Sequence, residues 1–251
     1  MILGPGPFKA KDLPSGSDYE LDNGHPIHCM PTKERGGAAQ GYGIRVIGSD
    51  PLVKHAGVEV GFQLGEGTLR APDVAVLASA PSADWATTAP PLAIEYADKG
   101  QDEEELQQKI AQLLAAGTLA VWVVRLHRVR QVEVYTLGSQ KQVEKRVAQA
   151  HEELTLAGVL GRPVPVAALF DADAADSATF LNLLARFGYE HPDQAREEGR
   201  EEGREEGREE GRLQGLRTAV RLILQGRGLE LDEVKLASST EENLLRIIAG
   251  R

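Results

Sequence analysis

Residues Arg196 to Arg212 repeat Arg-Glu-Glu-Gly four times and close on a fifth arginine, without one apolar side chain. No such run can enter a hydrophobic core, so it divides whatever the chain folds into. Its period of four sets each first Glu three residues before the next Arg, as Glu197 before Arg200. That spacing supports a helix by about 0.2–0.5 kcal/mol per pair. Gly199, Gly203, Gly207 and Gly211 oppose it, each costing about 1 kcal/mol relative to Ala in a helix. The run therefore reads as a solvated, marginal helix or an extended linker. Three regions follow: a main domain over 1–190, the repeat over 191–212, and an extension over 213–251. In the extension, Leu213, Leu216, Val220, Leu222, Ile223 and Leu224 recur at near-helical spacing. Leu244, Leu245, Ile247 and Ile248 form a second cluster behind Ser239-Thr240-Glu241-Glu242, so two short helices are predicted. A pair this small needs a partner surface, and a homodimer through these helices is one way to supply it.

The main domain reads as α/β, a mixed sheet with flanking helices. Val58 to Phe62, Pro72 to Leu77, Leu92 to Ala97, Leu119 to Leu126 and Gln131 to Leu137 are predicted strands. A helix is expected within 36–54 despite five glycines there. Another runs from the acidic turn Asp102-Glu103-Glu104-Glu105 to Gly117, with Leu106, Ile110, Leu113 and Leu114 as its apolar stripe. A last helix spans Ser177 to Phe187, ended by Gly188.

Charge and composition narrow the function. With 28 Lys+Arg against 38 Asp+Glu the formal charge is −10, which disfavours binding to nucleic acid or anionic membrane by bulk attraction. DNA contact would have to be local or metal-assisted. The lone Cys29 cannot form an intramolecular disulfide, and a reducing, cytoplasmic setting is the expectation. The N-terminal stretch lacks a basic segment followed by an apolar run, and Leu119 to Val124, the longest dense apolar stretch, cannot span a bilayer, so neither secretion nor membrane insertion is expected. His25, His28 and Cys29 lie close together, but their alternation suits a strand better than a metal site. Arg125, His127, Arg128 and Arg130 form a compact basic cluster that could meet a phosphate backbone or simply be a solvated turn.

Asp73 and Glu95 carry the most information. Each is an acid inside an apolar strand, where an unpartnered carboxylate is strongly disfavoured. Two such acids aimed at one point suit Mg²⁺, which takes few protein ligands and keeps water and phosphate oxygens for the rest. Lys109 falls beside Leu106 and Leu113 on the stripe facing the sheet, which can direct its ammonium toward the same point. The same spacing also suits acids at a solvated strand rim and a lysine that snorkels to water.

These residues carry a resemblance. Leu69-Arg70-Ala71-Pro72-Asp73-Val74-Ala75-Val76, Leu92-Ala93-Ile94-Glu95, Lys109, Gly117, Val121-Trp122-Val123-Val124 and Val132-Glu133-Val134-Tyr135 resemble the Uma-two family of restriction endonucleases, within the PD-(D/E)xK nuclease-like superfamily. The resemblance covers most of 15–190. It implies a restriction-endonuclease-like core, with Asp73 and Glu95 as metal ligands for Mg²⁺, Mn²⁺ a possible substitute, and Lys109 as the catalytic lysine. It implies DNA as substrate and phosphodiester hydrolysis as the reaction. Glu20 resembles a further acidic position of the family. Ala97 stands where the superfamily's strand lysine usually lies, Lys99 is a rival for the lysine role, and Leu113 replaces the family's helix tyrosine. Two other readings stand beside it: a catalytically inactive nuclease fold that binds DNA or protein through an oligomerising tail, and a hydrolase of some other phosphate ester.

Overall fold

The computed structural model describes residues 6–13, 16–100, 102–229 and 233–250; the first five residues of the N-terminal stretch discussed above lie outside them. The elements of the first unit are Tyr19–Asp22 (β1), His25–His28 (β2), Glu34–Ser49 (α1), Ala56–Val58 (β3), Phe62–Gly65 (β4) and Thr68–Arg70 (β5). Val74–Val76 (β6), Leu92–Ala97 (β7), Glu103–Ala115 (α2), Ala120–Arg125 (β8), Gln131–Leu137 (β9) and Val143–Gln149 (β10) follow. Glu153–Leu154 (β11), Val164–Pro165 (β12) and Ala172–Arg186 (α3) complete it. The chain then divides after Gly188. The second unit holds Pro192–Gly226 (α4), Glu233–Ser238 (α5) and Glu241–Ile248 (α6).

A six-stranded sheet in the order β10-β9-β8-β7-β6-β3 organises the first unit. Only β7 and β8 run parallel within it, as they must when a helix, here α2, carries the chain across between them. Side chains alternate between the faces with the strand period of two. Leu92, Ile94 and Tyr96 join Trp122, Val124, Val46, Ile47 and Leu169 in the larger core. Ala93 and Ala97 join Val121, Val123, Leu106, Ile110, Leu113 and Leu114 in the smaller one, under α2. Leu113 is a core residue with no exposed surface.

The acidic start predicted for α2 is its cap: the Asp102 side chain accepts from the Glu104 and Glu105 N–H groups at 3.0 and 3.1 Å. Gly117 follows the helix at φ +111°, a backbone conformation that glycine adopts without strain. The four leucine and isoleucine side chains of the stripe are each no more than 3% exposed. At about 1.5–3 kcal/mol per buried side chain they fix which way the helix faces.

Two expectations change. The strand predicted over Val58 to Phe62 is a junction: β3 ends at Val58, Glu59 takes φ +51°, and Phe62 opens β4 in a different sheet. The alternation of Val58, Val60 and Phe62 was real, but the break at Glu59 severs it. The glycine-rich stretch after it is the β4–β5 hairpin of a four-stranded antiparallel sheet, β2-β1-β5-β4. His25 to His28 is a strand in that sheet, as the alternation indicated. The Arg-Glu-Glu-Gly run is helical, the middle of the 35-residue α4, and not an extended linker. Pro192 sits at its start, and the glutamine at its third position closes a capping box. At its other end Val220 packs with Leu236 and Leu244 of α5 and α6, so tertiary contacts offset the glycines at that end. Among the described residues no helix is long and apolar enough to cross a membrane.

Candidate active site

β6 pairs antiparallel with β7 through Val74↔Ile94, so Asp73, one step before β6, stands opposite Glu95. The structure thus sets the two predicted acids side by side on neighbouring strands. Asp73 is held there by both its oxygens: Oδ2 accepts from the Tyr96 N–H at 2.6 Å, and Oδ1 from Gln40 Nε2 at 2.8 Å. Gln40 reaches it from α1, and no pattern in the sequence marked that residue. Glu95 faces α2, as do Ala93 and Ala97 two residues to either side of it.

Lys109 comes down from α2 onto Glu95. Its Nζ lies 2.9 Å from Glu95 Oε1 and donates to Glu20 Oε1 and to the Ala71 carbonyl, both at 2.8 Å. The snorkelling alternative therefore fails, since Lys109 is only 8% exposed. Ala97 is buried in the core under α2. Lys99 is exposed and lines a separate cavity of about 280 Å³ with Ala97, Asp98, Gly100, Glu103, Arg125 and His127. It does not meet Glu95.

Glu20 comes from the smaller sheet. On β1 and β5, Leu21 and Leu69 pair and point into a small apolar cluster with Ala10 and Leu13. Their neighbours Glu20 and Arg70 point the other way, toward α2. Arg70 has no exposed surface, donates Nη1 to Glu20 Oε2 at 3.1 Å and Nε to Gln112 Oε1 at 2.7 Å, and lies 3.7 Å from Asp22. Arg70 is the residue that sequence reasoning passed over. The signal was present, since period two from Leu69 sends it to the face opposite the core.

The three acids differ in electrostatics. For Glu20, burial disfavours the charge, but Lys109 and Arg70 outweigh it and hold the carboxyl below its ordinary value. Asp73 is raised, by burial first and then by Glu59 and Glu20, against the pull of Lys109 and the Tyr96 N–H. Glu95 is pushed up to about 8, by burial and then by Asp73 and Glu20, again against Lys109. Burial alone would lower Lys109, but Glu95, Glu20 and Asp73 together raise it, so it stays charged.

A divalent cation fits this donor set. Glu95, which burial pushes up to about 8, is a carboxyl whose charged form a bound cation would stabilise. Glu95 Oε1 is buried and lies 2.9 Å from the Lys109 ammonium. Among the described residues no group of three or more His, Cys, Asp and Glu side chains is placed to hold a metal ion; Mg²⁺ on a phosphate substrate characteristically uses one or two carboxylates. His25, His28 and Cys29 belong to no such group, and the Cys29 thiol is exposed.

The basic cluster is only partly available. Arg125 is held by Glu103 and Glu133, at 2.9 and 2.7 Å from Nη2, and Arg130 lies over the Phe170 ring, 5.7 Å from its centroid. Neighbouring carboxylates thus neutralise one of the four groups of the cluster that could meet phosphate or be a solvated turn.

The family model of Uma2, described as "Putative restriction endonuclease", matches residues 8–167. The solved structure of a putative nuclease belonging to DUF820 from Anabaena variabilis ATCC 29413 matches with a TM-score of 0.56 and 19% identity. That match covers 67% of this chain and 99% of the other; it shows a nuclease-like fold. No curated protein matches the chain.

Proposed function

Since this chain belongs to the Uma2 family, described as "Putative restriction endonuclease", we propose that it is a metal-dependent DNA endonuclease in which Asp73 and Glu95 hold Mg²⁺, or Mn²⁺ in its place, and Lys109 is the catalytic lysine. The observation that carries this reading is that Asp73 and Glu95, distant in sequence, stand opposite each other on neighbouring strands, with the Lys109 ammonium 2.9 Å from Glu95. When bound, the metal supplies Lewis-acid polarisation of the phosphodiester and a more acidic water. Asp73 is pre-oriented, because Gln40 and the Tyr96 N–H fix its carboxylate before any ligand arrives. Lys109 keeps a positive charge beside Glu95, where it can donate to the developing charge on a phosphoryl oxygen. Lys99 and His127, in the neighbouring cavity, are available to the substrate backbone. Exposed Leu222 and Leu245 in the second unit are where a homodimer contact would form, and a cytoplasmic location fits the single cysteine.

The test is cleavage of supercoiled plasmid by the full chain in Mg²⁺ or Mn²⁺, beside Asp73→Ala and Glu95→Gln. Wild type should nick the plasmid only with metal, and both variants should be inactive although folded. Inactivity of folded wild type on duplex, single-stranded and branched DNA with both metals would sink the enzymatic reading. The rival is a nuclease fold that binds DNA or protein without cutting. It draws on the net charge of −10 and on the engagement of Arg125 by carboxylates, and DNA binding without nicking would favour it.

A further inference from the structure

Glu20 and Glu95 both lie against the Lys109 ammonium, yet they are built differently. Every oxygen of Glu20 has a directed donor. Oε1 accepts from Lys109 Nζ at 2.8 Å and the Ala71 N–H at 3.2 Å, and Oε2 accepts from Arg70 Nη1 at 3.1 Å. Arg70 is fixed in turn by Gln112 of α2, 2.7 Å away. Glu95 Oε1 has no directed donor. The well-aligned hydrogen bonds that hold Lys109 thus run to Glu20 and the Ala71 carbonyl, and Glu95 lies 2.9 Å from the ammonium they hold.

We propose that Glu20, locked in place by Arg70, is the positioning residue that aims Lys109 at Glu95, and that it is not itself a ligand of the divalent cation. The inference rests on the reading of Asp73, Glu95 and Lys109 given above. A lysine side chain has many rotamers open to it, and two directed acceptors on one side restrict it to a single placement. A cation at Glu95 repels the ammonium; Glu20 and the Ala71 carbonyl then keep it in the site. Arg70 neutralises Glu20, so a second positive charge gains little by binding there.

The test uses the full chain with ¹⁵N-labelled lysine. The Lys109 ammonium should give a proton-exchange-protected NMR signal in wild type and in Glu95→Gln, and exchange with water at least tenfold faster in Glu20→Gln. Mn²⁺ binding, followed by EPR of the free ion, should change less than threefold in Glu20→Gln and weaken tenfold or more in Glu95→Gln. In nicking assays Glu20→Gln should lower kcat with little change in KM, and Glu20→Asp should recover part of the loss. If Glu20→Gln does not fold, the Glu20→Gln/Arg70→Met double variant removes the pair without leaving a lone buried charge and should show the same faster exchange. A protected ammonium without Glu20, or a loss of Mn²⁺ affinity in Glu20→Gln equal to that in Glu95→Gln, would overturn the proposal. Should wild type neither bind Mn²⁺ nor nick DNA, the metal-nuclease reading fails, while the ammonium comparison still decides the role of Glu20.

Discussion

Replacing Lys109 by Met keeps most of the length of the side chain and deletes the charge that the buried Glu20 and Glu95 share. Three contacts go with it: Glu20 Oε1 and the Ala71 carbonyl at 2.8 Å, and Glu95 Oε1 at 2.9 Å. Removing one partner of a buried ion pair costs about 3–5 kcal/mol, because the charge left behind has neither partner nor water. Two features place the expected loss near the lower end. Arg70 still faces Glu20, and Glu95, pushed up to about 8, largely holds a proton at neutral pH. Both tryptophans, Trp85 and Trp122, lie in the first unit, Trp122 only 1% exposed, so tryptophan fluorescence during urea unfolding reports this unit alone. With a slope near 2 kcal/mol per molar, the midpoint should fall by roughly 1.5 M. The double variant Glu20→Gln/Lys109→Met should be more stable than the single changes predict by at least about 1 kcal/mol, the coupling of residues in contact. A loss below about 1 kcal/mol for Lys109→Met, or no coupling to Glu20, would mean that the ammonium reaches water and that the buried site is misread.

Other measurements reach other parts of the argument. Because Glu95 is raised to about 8 from an ordinary value of 4.5, the folded state holds a proton that the unfolded chain releases. That contribution to stability is fully present below about pH 4.5 and is lost as the pH rises to 8, by up to about 4 kcal/mol. Glu95→Gln should match wild type near pH 5 and exceed it in urea stability near pH 8.5; parallel pH profiles would refute the raised value. A Cβ on Gly43 would overlap the Tyr96 hydroxyl, so Gly43→Ala should cost about 1–3 kcal/mol by fluorescence-detected unfolding. Because the Tyr96 N–H also holds Asp73, the same variant should weaken Mn²⁺ binding, and an unchanged midpoint would show that the ring simply moves aside. In α4, nothing lies within 4 Å of a Cβ placed on Gly199, Gly203, Gly207 or Gly211. Replacing all four by Ala should raise the helical circular dichroism signal and its thermal persistence, at about 1 kcal/mol per site; no gain would mean that the run is already fully helical in solution.

Much of this protein is written locally. The α2 stripe, its Asp102 cap and its glycine stop are all properties of neighbours in sequence, and so are the buried strands that carry Asp73 and Glu95. Period two even sets the faces of β7, which is why Glu95 and Ala97 could be placed on one side before any coordinates. Where local pattern failed, a long-range contact or a single dihedral had intervened. Glu59 at φ +51° splits an apparent strand between two sheets, and packing of Val220 against Leu236 and Leu244 supports a glycine-laden helix at one end.

The sequence alone determined which residues are candidates: acids set in apolar strands, and a lysine on a stripe that had to face inward. Tertiary structure decided how they are connected. That Lys109 and not Lys99 meets Glu20 and Glu95, that Arg70 satisfies Glu20, and that Gln40 steadies Asp73 from across the sheet depend on side chains from five elements, β1, β5, β7, α1 and α2, converging. No periodicity records such a meeting, because hydrophobic spacing specifies which face is buried but not which polar groups face one another there.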